Sequence, residues 1–301
     1  MNRAPIALFV YNRPRHTRST LQALRANALA GESDLYVFAD AARKPEAAAS
    51  VEEVRKVLRT VEGFKSVTVV ERASNMGLAA SITEGLSGLC ERYGRAIVVE
   101  DDLVTSPHFL AYMNAALDRY EMEDRVMQIS GHMFLATLHT PEDAIFLPFI
   151  TSWGWATWAR AWRHYDPLAS NYPRLVENPS LRKRFDLEGH YPYFRMLQAQ
   201  QQGRIDSWAI RWYLSVFFRE GLALYPKKSM VRNLGFDGSG VNCNVSDFAQ
   251  SDLDSNFRVS AFPDVVEATS EMDAVYRALP VPRLSWTSVL ARASRMLGIG
   301  A

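Results

Sequence analysis

A mostly parallel β-sheet with helices on both faces, an α/β fold, is the class the sequence predicts, and three observations predict it. Four short apolar runs, Ile6 to Tyr11, Leu35 to Ala39, Val67 to Val70 and Ala96 to Val99, have the length and the β-branched or aromatic content of buried strands. Helix-like stretches alternate with them at Thr17 to Leu29, Ser50 to Val61, Ala79 to Arg92 and Pro107 to Tyr120, and such alternation builds a parallel sheet. With 48% hydrophobic and 22% charged residues over 301 positions, the chain supports one large domain or two modest ones.

Each element follows from its own pattern. In the third helical stretch, Ile82, Leu86 and Leu89 recur at helical spacing while Thr83, Glu84 and Arg92 keep the other face polar. Open parallel sheets bind ligands beyond the carboxyl ends of their strands. Those ends carry Tyr11-Asn12-Arg13 after the first run, Asp40 after the second, Asn75-Met76-Gly77 past the third and Glu100-Asp101-Asp102 after the fourth. Turn chemistry alone accounts for Asn75 and Gly77. It does not account for three consecutive acids after a buried strand, which repel one another unless something positive relieves them. A Mg²⁺ or Mn²⁺ ion, taking one or two carboxylates with ligand phosphates and waters, is one such partner. A helix N-cap explains one acid of the three.

From about Asp124 the texture changes. Val126 to Ile129 and Ile145 to Leu147 read as further strands, and Ser207 to Arg219 as a helix. Six of the seven tryptophans, Trp153, Trp155, Trp158, Trp162, Trp208 and Trp212, fall in one window. Trp155, Trp158 and Trp162 have helical spacing and are expected to form one buried stripe; Trp153 and Trp208 lie off it and are candidates to stack on a sugar.

Several classes are disfavoured. A formal charge of +1 lacks the basic surplus that a general nucleic-acid binder needs. Yet residues 1 to 31 and 277 to 301 carry arginines and no acid, so the balance is a cancellation between basic ends and an acidic centre. Two cysteines, Cys90 and Cys243, build no disulfide framework or thiolate zinc site. The six histidines lack the spacing of a zinc helix motif. No stretch reaches the roughly 20 apolar residues of a membrane span, and none at the start reads as a signal peptide. A cytoplasmic protein, soluble or peripheral on the inner face of the membrane, is expected.

Ala4 to Arg13, the acidic triplet, Ser152-Trp153-Gly154-Trp155, Asp206-Ser207-Trp208 and Arg232 to Gly240 together resemble the nucleotide-sugar glycosyltransferases of GT-A (Rossmann-like) fold. The similarity is to the N-acetylglucosaminyltransferase that starts the first complex N-glycan branch and to its bacterial relatives, over residues 4 to about 245. The resemblance implies a GT-A domain over 1–279, with a nucleotide-sugar half (1–123) and an acceptor half (124–279). It implies that Arg13 contacts the donor diphosphate with help from Tyr11, Asn12, Asn75 and Gly77. Asp40 would bind the base, Glu100 the donor sugar hydroxyls, Asp101 the ribose region and Asp102 the metal. Trp153 and Arg232 would also face the donor. Asp206 matches the base that deprotonates the acceptor, although Ser207 stands where the family usually has a second acid; capping of the following helix is the competing role for Asp206. The implied reaction is inverting, metal-dependent hexosyl or N-acetylhexosaminyl transfer from a nucleoside-diphosphate sugar, a UDP-sugar favoured. The acceptor would be a glycan or lipid-linked hydroxyl in bacterial surface polysaccharide synthesis.

Two further segments carry expectations. Gly235, Gly238 and Gly240 suit a lid that closes over the donor. Residues 280–301 carry an apolar face through Trp286, Val289, Leu290, Ala293, Met296 and Leu297 with arginines opposite, an amphipathic helix fit for packing on the enzyme or for an anionic membrane surface. A nucleotidyltransferase is disfavoured because Tyr11-Asn12-Arg13-Pro14-Arg15 contains no glycine. A noncatalytic carbohydrate-binding protein would explain the tryptophans but not the acids.

Overall fold

The structure is a computed structural model that describes residues 3–237 and 250–280. The expected helix at 280–301 and the glycines Gly238 and Gly240 of the expected lid lie outside the described residues, apart from Pro280 itself.

The first half alternates as its pattern predicts: β1 (Ile6–Val10), α1 (Pro14–Arg25), β2 (Asp34–Ala39), α2 (Ala48–Leu58), β3 (Ser66–Glu71), α3 (Leu78–Tyr93) and β4 (Arg95–Glu100). A short strand β5 (Leu103–Thr105), α4 (Phe109–Arg119), β6 (Val126–Ser130), β7 (Ala144–Leu147) and β8 (Trp155–Trp158) follow. Then come α5 (Ala159–Trp162), α6 (Tyr172–Glu177), α7 (Pro179–Phe185), α8 (Tyr193–Gln201), α9 (Trp208–Phe218), β9 (Leu222–Pro226), β10 (Val231–Asn233) and α10 (Met272–Arg277).

Eight strands form one sheet in the order β3-β2-β1-β4-β8-β6-β9-β7, while β10 pairs with β5 as a separate ribbon. The β3-β2-β1-β4 half is parallel throughout, and β8 enters antiparallel to both β4 and β6. The predicted class is thus observed, with antiparallel strands confined to the second half. Side chains alternate across a strand, so each strand feeds two cores. Ala7, Phe9, Ala96 and Val98 pack under α3, α5 and α9, whereas Ile6, Leu8, Val10, Ile97 and Val99 pack under α1, α2 and α4. A strand covered on both sides is apolar at every position, which is why β1 and β4 are legible as unbroken runs.

The tryptophan stripe is corrected. Trp155 and Trp158 lie on β8, where an odd spacing of three sends them to opposite faces, Trp155 to the α9 side and Trp158 to the α4 side. Only Trp162 is helical. A three-residue interval fits both a helix face and two faces of a strand, and pairing with β4 decides for the strand. Trp158 donates from Nε1 to the Leu117 carbonyl, and Trp162 to the Ser87 hydroxyl.

After β10, residues 250–271 run as an extended segment along the α4 side. Asp143 accepts from the backbone N–H groups of Ser260 and Ala261, the Tyr120 hydroxyl donates to the Pro263 carbonyl, and Thr269 N–H donates to the Phe146 carbonyl. Phe262 stacks against Tyr112 and packs edge-on to Tyr120. Among the described residues no helix is long and apolar enough to cross a membrane. Cys90 is buried in α3, where desolvation pushes its thiol up to about 12, so its role is packing; Cys243 lies outside the described residues.

Candidate active-site cleft

A cleft of about 650 Å³ opens beyond the carboxyl ends of β1, β2 and β4. One wall holds Tyr11, Asn12, Arg13, Asp40, Asn75, Gly77 and the Glu100-Asp101-Asp102 triplet. The same cleft is also lined by the loop between α8 and α9, Gly203 to Asp206.

Arg13 is aimed by its neighbours. Pro14 occupies the first helical position of α1, where its fixed φ and missing N–H are tolerated, so the chain turns into the helix three residues after β1. Thr17 returns both its N–H and its hydroxyl to the Arg13 carbonyl, and Thr20 of the same helix donates to the Asp101 carbonyl. The Arg13 guanidinium thereby reaches Asp101 and lies 3.0 Å from Asp102 Oδ2. Burial pulls the Arg13 pKa down, but the two carboxylates outweigh it and hold the group charged. Burial drives Asp101 upward against the pull of Arg13. Glu100 is pushed up to about 8, by burial first and then by Asp102 and Asp101. The repulsion expected in the triplet is therefore relieved in two ways, by a guanidinium on two acids and a retained proton on the third.

Asp40, expected to contact the base, lines the cleft and also holds the loop beside it. Its Oδ1 accepts the N–H groups of Ala41 and Met76, and its Oδ2 accepts Gly77 N–H and the Asn75 amide. A carboxylate offers about four acceptor positions, and this loop fills them. The bonds pin the 75–77 loop to the sheet edge, with Gly77 at φ +78 making the turn into α3, a conformation that costs a side-chain-bearing residue about 1 kcal/mol or more.

Asp206 sits at the lip, largely exposed, with Oδ1 2.6 Å from Arg211 Nη2. The cap of α9 is Ser207, whose hydroxyl accepts from Ile210 N–H. The competing capping role therefore falls to Ser207 and leaves Asp206 facing the cleft.

Three expected contacts are redirected. Trp208 is 3% exposed and stacks on Trp155 at 5.0 Å, so it is a core residue and no sugar platform. Arg232 pairs with Asp252, outside the cleft lining; on β10 it alternates outward between the buried Val231 and Asn233. Trp153 rests on His132 and Phe236 and is likewise outside the lining. Gly235 meets the site from another direction. The β5–β10 ribbon brings residues 233–235 beside the triplet, Leu234 N–H donates to the Asp102 carbonyl, and a Cβ at Gly235 would overlap Asp102 Oδ2.

The structure adds residues that the sequence reading passed over. Phe9 and Phe38, stacked at 4.9 Å, line the base of the cleft, and Ser81, Arg43 and Arg204 line its sides. Ser81 was legible as part of the first turn of the helix that follows the 75–77 loop. Arg43 and Arg204 carried no local signal, because exposed arginines in loops are common.

The lining holds Arg13, Arg43 and Arg204 against Asp40, Asp101, Asp102, Asp206 and a Glu100 that keeps its proton below about pH 8. Four carboxylates face three guanidiniums, so a polyanionic ligand needs added positive charge here. Among the described residues no three His, Cys, Asp or Glu side chains cluster to hold a metal by themselves. A hard divalent ion that takes one carboxylate and completes its shell with ligand phosphate and water needs no such cluster, and Asp102, beside Arg13 in the cleft lining, offers one carboxylate of that kind.

No protein-family model matches the chain, and no curated protein matches it. Solved structures give distant likenesses. S. aureus TarS (residues 1–349) matches at 10% identity and a TM-score of 0.35, over 52% of this chain and 47% of that one. Mouse xyloside xylosyltransferase 1 in its apo form matches at 12% and 0.39, over 72% and 82%. GalNAc-T7 with UDP, GalNAc and Mn²⁺ matches at 12% and 0.43, over 79% and 46%. The chain spans about half the length of the TarS structure.

Proposed function

We propose that the chain is a nucleotide-sugar glycosyltransferase of GT-A type, and the observation that carries this reading is the cleft itself. An acidic triplet with its guanidinium lies on the sheet edge, and a further carboxylate, Asp206, lines the same cleft from a separate loop. Glycosyl transfer with inversion requires this division. The leaving diphosphate must be neutralised on one side while a base reaches the incoming hydroxyl on the other.

In this reading Arg13 and Arg43 meet the diphosphate, Tyr11, Asn12 and the pinned 75–77 loop shape the nucleotide pocket, and Glu100, retaining its proton, donates to the donor sugar. Asp102 is the residue that would hold Mn²⁺ or Mg²⁺, which when bound supplies charge neutralisation of the departing diphosphate. The acceptor oxygen attacks the anomeric carbon, the bond from that carbon to the diphosphate oxygen breaks, and Asp206 takes the acceptor proton. UDP as the nucleotide, a hexose or N-acetylhexosamine as the sugar, and a glycan or lipid-linked acceptor of a bacterial surface polymer complete the proposal.

Calorimetry with a panel of nucleoside-diphosphate sugars, in Mn²⁺ and in EDTA, tests it. Binding of at least one UDP-sugar that requires Mn²⁺ and is lost in Asp102→Ala is expected. Equal binding by Asp102→Ala, or no nucleotide binding at all, overturns the reading.

A further inference from the structure

Tyr11 makes two hydrogen bonds that a residue shaping a pocket wall does not need. Its N–H donates to Asp101 Oδ2 at 3.4 Å, and its hydroxyl accepts the backbone N–H of Arg43 at 3.0 Å. Asp101 is also an acid that the Arg13 guanidinium reaches. One residue at the end of β1 is thus bound to the partner of one cleft arginine and to the backbone of another, which belongs to the loop after the neighbouring strand β2.

The two arginines are not equivalent. Arg13 is spent on Asp101 and Asp102. Arg43 lines the cleft, is exposed, and enters no ion pair among the described residues, so its guanidinium is open to an anionic ligand. An arginine side chain is long and rich in rotamers, and the place its guanidinium reaches depends on how firmly its backbone is held. At Ala41 the loop is fixed to its surroundings, because Asp40 accepts the Ala41 N–H and Asn75 donates to the Ala41 carbonyl. At Ala42 and Arg43 the Tyr11 hydroxyl is the one hydrogen-bond partner that the described residues provide. A phenylalanine at position 11 would give the same ring and leave the Arg43 N–H to water.

We propose that the Tyr11 hydroxyl is a positioning group for the donor diphosphate. By holding the Arg43 backbone it sets where the second guanidinium stands relative to Arg13, and so governs the part of nucleotide affinity that comes from phosphate. The proposal rests on the glycosyltransferase reading and adds the group that orients one of its phosphate ligands.

Calorimetry on the full chain compares UDP with uridine, both in Mn²⁺, for the unsubstituted protein, Tyr11→Phe, Arg43→Gln and the double variant. UDP affinity is expected to fall about fivefold in Tyr11→Phe, the worth of one hydrogen bond, and about tenfold in Arg43→Gln. Uridine affinity should change less than about twofold in either, because the ring at position 11 is kept and uridine carries no phosphate. The double variant should bind UDP no more weakly than Arg43→Gln, since the hydroxyl acts through that guanidinium. Hydrogen exchange across residues 41–44 of the ligand-free chain should quicken in Tyr11→Phe, which records the lost anchor without any ligand. Unchanged UDP affinity or unchanged exchange in Tyr11→Phe overturns the proposal. So does an equal loss for uridine, which would make the hydroxyl part of the base pocket, or a double variant whose losses multiply, which would make it act apart from Arg43. If the unsubstituted chain binds UDP and the variants give those results, this assignment fails alone; if it binds neither UDP nor uridine, the glycosyltransferase reading fails and this assignment with it.

Discussion

Among the described residues Arg13 is the one side-chain cation paired with the buried Asp101 and Asp102, and removing it leaves both acids without that ion pair. Arg13→Met is expected to cost about 3 kcal/mol of stability, measured by urea unfolding. Asp40 permits a sharper test. Asp40→Asn keeps one acceptor oxygen but sets an amide against Gly77 N–H and the Asn75 amide, both donors. The variant should lose about 2 kcal/mol, with nucleotide affinity falling as the 75–77 loop loosens. A variant of wild-type stability with altered preference among nucleotides would instead support Asp40 as the residue that reads the base.

At the scale of elements, α9 carries much of the packing of the second half of the chain. Trp212 donates to Gln128, whose own amide donates to Ser130 and to the Thr151 carbonyl, so the buried polar groups around β6 satisfy one another. Trp208→Ala is expected to destabilise by about 4 kcal/mol, as a large core truncation does, in contrast to the small change expected of an exposed sugar platform; chemical denaturation separates the two. The extended 250–271 segment depends on Asp143. Burial alone would raise that carboxyl, but bonds from Ala261 and Ser260 outweigh it and hold it below the ordinary 3.8. A depressed carboxylate contributes stability above its unfolded pKa and loses it as pH falls through the folded one. Hydrogen exchange across residues 257–269 should therefore be slow at pH 6 and lose protection only below about pH 3.8, and Asp143→Asn should remove that pH dependence.

For the molecule as a whole, the donor is expected to act as a stabiliser. A ligand that binds only the folded chain at 100 times its dissociation constant adds about 2.7 kcal/mol, a rise of roughly 5 °C or more in melting temperature for a chain of this size. Differential scanning fluorimetry with UDP should show that rise in Mn²⁺ and not in EDTA, and Asp102→Ala should abolish it.

The parallel half of the sheet, its helices and the wall bearing Arg13 and the triplet were legible because burial on both faces makes a strand apolar at every residue, and because the site residues directly follow those strands in the chain. That much is local information, and the sequence by itself determined it. The tertiary structure decided the rest. It set Trp155 and Trp158 on two faces of a strand by pairing with β4, buried Trp208 against Trp155, and turned Arg232 outward by alternation on β10. It also brought Gly203 to Asp206 into one cleft with residues a hundred positions earlier. Those outcomes depend on which distant segment lies beside each residue. Spacing along the chain does not specify that; packing the two faces of the sheet does.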